Sequence, residues 1–141
     1  MGKSMTLSSL RVTVLVLALV HLAIGVLGFF FMPENNQTGE NTVWIFSATG
    51  ILDLLRTATG VIGLVAVLRP ALISLYTWFV FVAFAGLTGF GVLSAATTSA
   101  GDAVNLNWAD NVLHALTSLT ALVVAIFTIQ RTRRTSNAVP E

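Results

Sequence analysis

Four long apolar runs dominate this sequence, at about 10–32, 43–68, 71–96 and 108–130. A bilayer core is about 30 Å thick and takes roughly 20 helical residues to cross. Every run reaches that length. None alternates apolar and polar residues as a membrane β-strand would. The composition fits a lipid solvent, with 55% hydrophobic and 9% charged residues in 141. A soluble domain carries about 25% charge. The expected fold class is an all-α membrane protein, a single domain over 1–141. It is a four-transmembrane-helix up-down bundle followed by a polar cytoplasmic tail at 131–141.

The charges set an expected orientation. Lys3 and Arg11 precede or open the first run, Arg69 lies between the second and third, and Arg131, Arg133 and Arg134 follow the fourth. Four crossings place all of them on one side. The opposite loops carry Glu34, Glu40, Asp102 and Asp110 and no Lys or Arg. The positive-inside rule then puts both termini in the cytoplasm. Pro33 and the polar run from Glu34 to Glu40 end the first helix, and Arg69-Pro70 makes a tight turn. Trp44, Trp78 and Trp108 fall near segment ends, where indoles favour the interface. The first run is followed by Phe29-Phe30-Phe31-Met32-Pro33 and not by a small-x-small cleavage site, so it reads as a retained span.

Small residues recur three apart in each run. The patterns are His21-x3-Gly25-x2-Gly28, Arg56-x3-Gly60-x2-Gly63, Gly86-x2-Gly89 and His114-x3-Ser118-x2-Ala121. Spacings of three and four share one helical face. Small residues let membrane helices approach closely. Gly25, Gly28, Gly60, Gly63, Gly86 and Gly89 are therefore the expected packing positions on the inner faces of the bundle.

Asp53, Arg56, Asp110, Asn111 and His114 form the candidate polar cluster, with His21 as a secondary candidate. An ionisable residue within a span costs about 2.5–3.5 kcal/mol on insertion scales, so it should find a partner in protein or water. Asp53 and Arg56 are three apart and are expected to pair. At about 1.5 Å per residue, Arg56 and His114 both come to roughly 9 Å below the outer boundary, and His21 to roughly 16 Å. His114 is thus expected within reach of the Asp53–Arg56 pair. The layer reads either as structural glue or as a binding or proton-handling site.

Other chemistry has little support. The chain has no cysteine, which excludes disulfides, thiol catalysis and thiolate metal sites. Two histidines at different depths make a poor axial pair for haem, and two separated imidazoles are too few for metal catalysis. No nucleophile elbow is visible. No cofactor, metal or catalytic set is expected, and the basic tail is too short to argue for nucleic acid.

The stretch Val104-Asn105-Leu106-Asn107-Trp108-Ala109-Asp110-Asn111-Val112-Leu113-His114 resembles the Val-Asn…Ala-Asp-Asn-x-Leu-His segment that opens the last helix of a bacterial four-span membrane family, a domain of unknown function. Gly25-Val26-Leu27-Gly28-Phe29 with Pro33, and Asp53-Leu54-Leu55-Arg56…Gly60-Val61-Ile62-Gly63-Leu64, are similar to its first and second helices. The family pattern has Asn and His where this chain has Asp53 and Arg56. The resemblance covers most of 10–130 and implies fold and topology, without an activity.

Two functions are compatible with these residues. One is a non-enzymatic accessory or scaffold subunit of a bacterial inner membrane, with the lipid bilayer, a membrane-protein partner or a second copy as its contacts. The other is a binder or transporter of a quinone, a lipid or a proton-coupled solute at the outer-leaflet polar layer.

Overall fold

A computed structural model describes residues 6–31, 41–97 and 106–136. The elements are α1 (Leu7–Phe31), β1 (Thr42–Val43), β2 (Phe46–Ser47), α2 (Gly50–Leu68), a short 3-10 turn (Pro70–Leu72), α3 (Ile73–Thr97) and α4 (Trp108–Ser136). All four α-helices are long and apolar enough to span a membrane.

Several helix boundaries have a local cause. Thr6 opens α1, its hydroxyl accepting the Ser9 N–H at 3.1 Å. Thr49 has extended backbone and its hydroxyl accepts the Leu52 N–H at 3.4 Å, which caps α2. At its other end α2 stops before Arg69-Pro70, because a residue before proline is driven out of the helical region. Asn107 and Asp110 cap α4 reciprocally. The Asn107 carboxamide oxygen accepts the Asp110 N–H at 3.0 Å, and the Asp110 carboxylate accepts the Asn107 N–H at 3.1 Å.

Two expected bounds are corrected. Helix two does not begin at residue 43. Thr42–Val43 pairs antiparallel with Phe46–Ser47 in a tight hairpin, with Val43 opposite Phe46. This β-branched and aromatic stretch suits a strand, and the Thr49 cap then starts the helix at Gly50. Trp44, at the hairpin tip, has a φ of 56°, a left-handed conformation that a two-residue turn requires and a bulky side chain adopts only under constraint. Helix four does not end at 130. It continues to Ser136, carrying Arg131, Arg133 and Arg134 in its last turns, where cations complement the helix dipole. Pro33, Glu34, Glu40 and Asp102 lie outside the described residues.

The bundle is built from two close pairs. α1 packs along α2 and α3 along α4, and contacts across the pairs are sparser. A Cβ on Gly60 would come within 2.7 Å of the Ala18 carbonyl and the Leu22 amide, so α1 and α2 touch through backbone there. One end of the interior is apolar: Leu10, Val14, Ala66, Ile73, Tyr76, Val80, Phe84, Ala121 and Val124 form one buried cluster. Arg11, Arg69, Arg131, Arg133 and Arg134 surround this end, hereafter the basic end. The opposite, hairpin end holds the polar cluster.

Gly86 and Gly89 are corrected as packing positions. A Cβ on either would meet nothing within 4 Å. On α3 the inward face is occupied by Tyr76, Val80 and Phe84, four residues apart, which turns Gly86 and Gly89 outward.

Candidate functional site: a buried polar layer at the hairpin end

Arg56 sits on the first turns of α2 and is fully buried. Its Nη2 donates to the Asp110 carboxylate of α4 in a short charge-assisted bond. Its Nη1 donates to the Ser47 carbonyl at 2.6 Å. The other Asp110 oxygen accepts the Ser47 N–H at 3.2 Å. The Asn107 amide donates to the Ile45 carbonyl at 2.9 Å. One ion pair and one helix cap therefore tie the hairpin to α2 and α4.

Asp53 occupies a different position. Its carboxylate lies 3.6 Å from Arg56 Nη1, within ion-pair range but beyond a hydrogen bond. Neither of its oxygens has a hydrogen-bond partner. The carboxyl group rests against Gly28 of α1, where a Cβ would overlap it. The expected Asp53–Arg56 pair is thus present as a loose contact, and the close partner of Arg56 is Asp110. The reason is reach: Arg56 points across to α4, and the Ser47 carbonyl takes the nitrogen nearest Asp53.

His114, expected within reach of that pair, makes no hydrogen bond to it. His114 is buried, and neither of its ring nitrogens has a hydrogen-bond partner. Asp110, one turn earlier on α4, meets the guanidinium in its place. His114 packs instead against the Phe84 ring, edge to face, with centroids 5.2 Å apart. His21 packs on the same Phe84 at 4.8 Å. The His21 Nδ1 bonds with the Leu17 carbonyl at 3.0 Å, and its Nε2 lies 3.5 Å from the Thr117 hydroxyl. Both imidazoles therefore pack on one phenyl ring. Asn111 is buried with both amide atoms unpartnered, and it sits in the space left by Gly91 of α3.

Several glycines serve as sockets for side chains. Gly28 receives Asp53, Gly25 receives Thr57, Gly63 receives the Tyr76 hydroxyl and Gly91 receives Asn111. Tyr76 also donates to the Thr59 carbonyl at 3.2 Å, which links α3 to α2. Sequence reasoning missed Ser47, Gly91 and Asn107. The Asn107-x-x-Asp110 spacing is a legible helix cap, whereas nothing local marks Ser47 or Gly91.

The layer can offer donors and acceptors to a guest. The Asp53 carboxylate, Arg56 Nε, the Thr57 hydroxyl, the Asn111 amide and the His114 imidazole are buried and make no hydrogen bond. Groups of this kind are usually satisfied by bound water or by a ligand. No group of three or more metal-ligating side chains occurs among the described residues.

The comparison with curated proteins and the comparison with solved structures found no match. A family pattern, the domain of unknown function DUF4383, matches residues 11–127, which reaches into all four helices and takes in every residue of the polar layer. The chain belongs to the DUF4383 family.

Proposed function

We propose that this chain is a non-enzymatic accessory subunit of a bacterial inner membrane, with both termini in the cytoplasm, that presents its hairpin to a membrane-protein partner at the outer surface. The orientation rests on the basic end being the cytoplasmic one. The observation that carries the reading is where the buried charge is spent. Arg56 and Asp110 are costly to place in a span, and both bond to the hairpin strand at Ser47. They hold in place a tip that exposes Trp44 and Ile45. Aromatic and aliphatic side chains on a rigid tip suit recognition, since little conformational freedom is lost on binding.

Affinity purification in mild detergent, with mass spectrometry of retained proteins, tests this reading. Wild-type protein is expected to retain a partner or a second copy, and Trp44→Ala to lose it at unchanged thermal stability. An identical retained set from both proteins sinks the proposal. A second reading, binding of a quinone, lipid or proton-coupled solute in the polar layer, is favoured by the unpartnered Asn111 and His114. Small molecules retained by wild type and lost in His114→Leu would support that reading over the first.

A further inference from the structure

The basic end carries a groove between α1 and α2 that the polar layer and the hairpin do not use. Its volume is about 460 Å³, and Leu7, Ser8, Arg11, Val12, Leu15 and Val67 line it. Arg11 is partly buried at its mouth, and its Nε donates to the Val67 carbonyl at 3.1 Å. That bond ties the guanidinium to α2 and orients it at the groove. Ser8 lies one turn earlier on the same face of α1. Below Arg11, Val12, Leu15 and Val67 give the groove an apolar wall running into the span.

Among the described residues, the charge around the groove is of one sign. Arg69, Arg131, Arg133 and Arg134 share this end, and the acidic residues among those described, Asp53 and Asp110, are at the other. A second cavity of about 240 Å³ adjoins it through Leu7 and is lined by Arg131 and three threonines over Leu10 and Ile73. A positive, oriented guanidinium near the start of a span, beside an apolar track, matches a phosphodiester with an acyl chain attached.

We propose that the Arg11 groove binds one anionic phospholipid, its phosphate on the Arg11 guanidinium and the Ser8 hydroxyl and an acyl chain along Val12, Leu15 and Val67. Arg11 is the specific contact because the Val67 carbonyl pre-orients it. The arginines at the end of α4 add long-range attraction.

The test uses full-length protein in mild detergent containing equal amounts of phosphatidylglycerol and phosphatidylcholine, with bound lipid counted by native mass spectrometry. Wild type is expected to retain phosphatidylglycerol in preference to phosphatidylcholine. Arg11→Gln should lower that retention about fivefold, the effect of one basic residue near the surface, and Arg131→Gln should lower it less. Leu15→Trp keeps the charge but fills the groove, and it should lower retention too, which provides an independent arm should Arg11→Gln not fold. Unchanged retention in both Arg11→Gln and Leu15→Trp overturns the proposal. Equal losses from Arg11→Gln and Arg131→Gln also overturn it, since they indicate diffuse charge attraction. Displacement of the lipid by millimolar inorganic phosphate would identify an anion site and likewise overturn it.

Discussion

The two ends of the bundle solve the same packing problem with opposite materials. At the basic end the interior is Leu10, Val14, Ile73, Val80 and Val124. At the hairpin end it is Asp53, Arg56, Asp110, Asn111 and His114. In water the first set would provide the driving force for folding. In lipid it does not, because acyl chains are as apolar as leucine and only packing distinguishes one helix neighbour from another. The polar end is different. Arg56 and Asp110 are costly unless they meet, and they meet in one rotation of α2 against α4. The comparison teaches that the helix arrangement is specified mainly at the hairpin end, while the basic end fills space.

The largest expected effect tests that asymmetry directly. Arg56→Gln leaves Asp110 and Asp53 buried without a cation and should lower stability by about 3–5 kcal/mol, the usual result of removing one member of a buried pair. Unfolding in mixed detergent micelles would measure it, and a loss near zero would dissolve the contrast between the ends. Next comes Gly60→Leu, where a side chain would strike the backbone of α1. Overpacking of this kind costs about 1–3 kcal/mol, and a variant with wild-type thermal stability would mean that α1 and α2 are not in backbone contact.

A pair of double-mutant cycles sharpens the comparison within the polar end. Arg56 with Asp110 should show a coupling toward the upper part of the usual range of about 0.5–3 kcal/mol, and Arg56 with Asp53 one toward the lower part. In both cycles the double change should cost less than the sum of the two single changes. The carboxylate change alone should be worse than the double change, since it leaves Arg56 buried with one counter-charge fewer. Reversed couplings would make Asp53 the true anchor. Tyr76→Phe should cost about 1 kcal/mol, through loss of the bond to the Thr59 carbonyl between α3 and α2. The smallest effect is expected from Gly86→Leu, within about 0.5 kcal/mol, since a side chain there meets open space. A loss as large as that of Gly60→Leu would reveal a contact on the outer face of α3.

Much of this fold was readable in one dimension. The spans follow from runs of apolar residues, and the Arg69-Pro70 turn follows from proline's effect on its neighbour. The hairpin at Thr42–Ser47 was hidden inside an apolar run, because six apolar and hydroxyl residues suit a strand or a helix entry equally. The polar layer was legible as a set of residues but not as a set of contacts. Asp53 and Arg56 invite pairing because they are neighbours on one helix, yet Arg56 takes its close partners from Ser47 and Asp110. His114 is expected from helical rise at the same depth as Arg56, and it packs on Phe84.

Membrane insertion is a sum over residues: apolar transfer along each run and the side on which the arginines fall are properties of the chain order alone. From these come the number of helices, their lengths and the segregation of charge. Rotation about each helix axis is not such a sum. It depends on which side chain of one helix fits the gap of another, so identical small-x-x-small patterns ended in opposite places: Gly60 and Gly63 against α1 and Tyr76, Gly86 and Gly89 in the open. Folding in three dimensions chose Gly91 as the socket for Asn111 and Asp110 as the partner of Arg56, because a buried donor accepts whichever partner the neighbouring helix brings within reach.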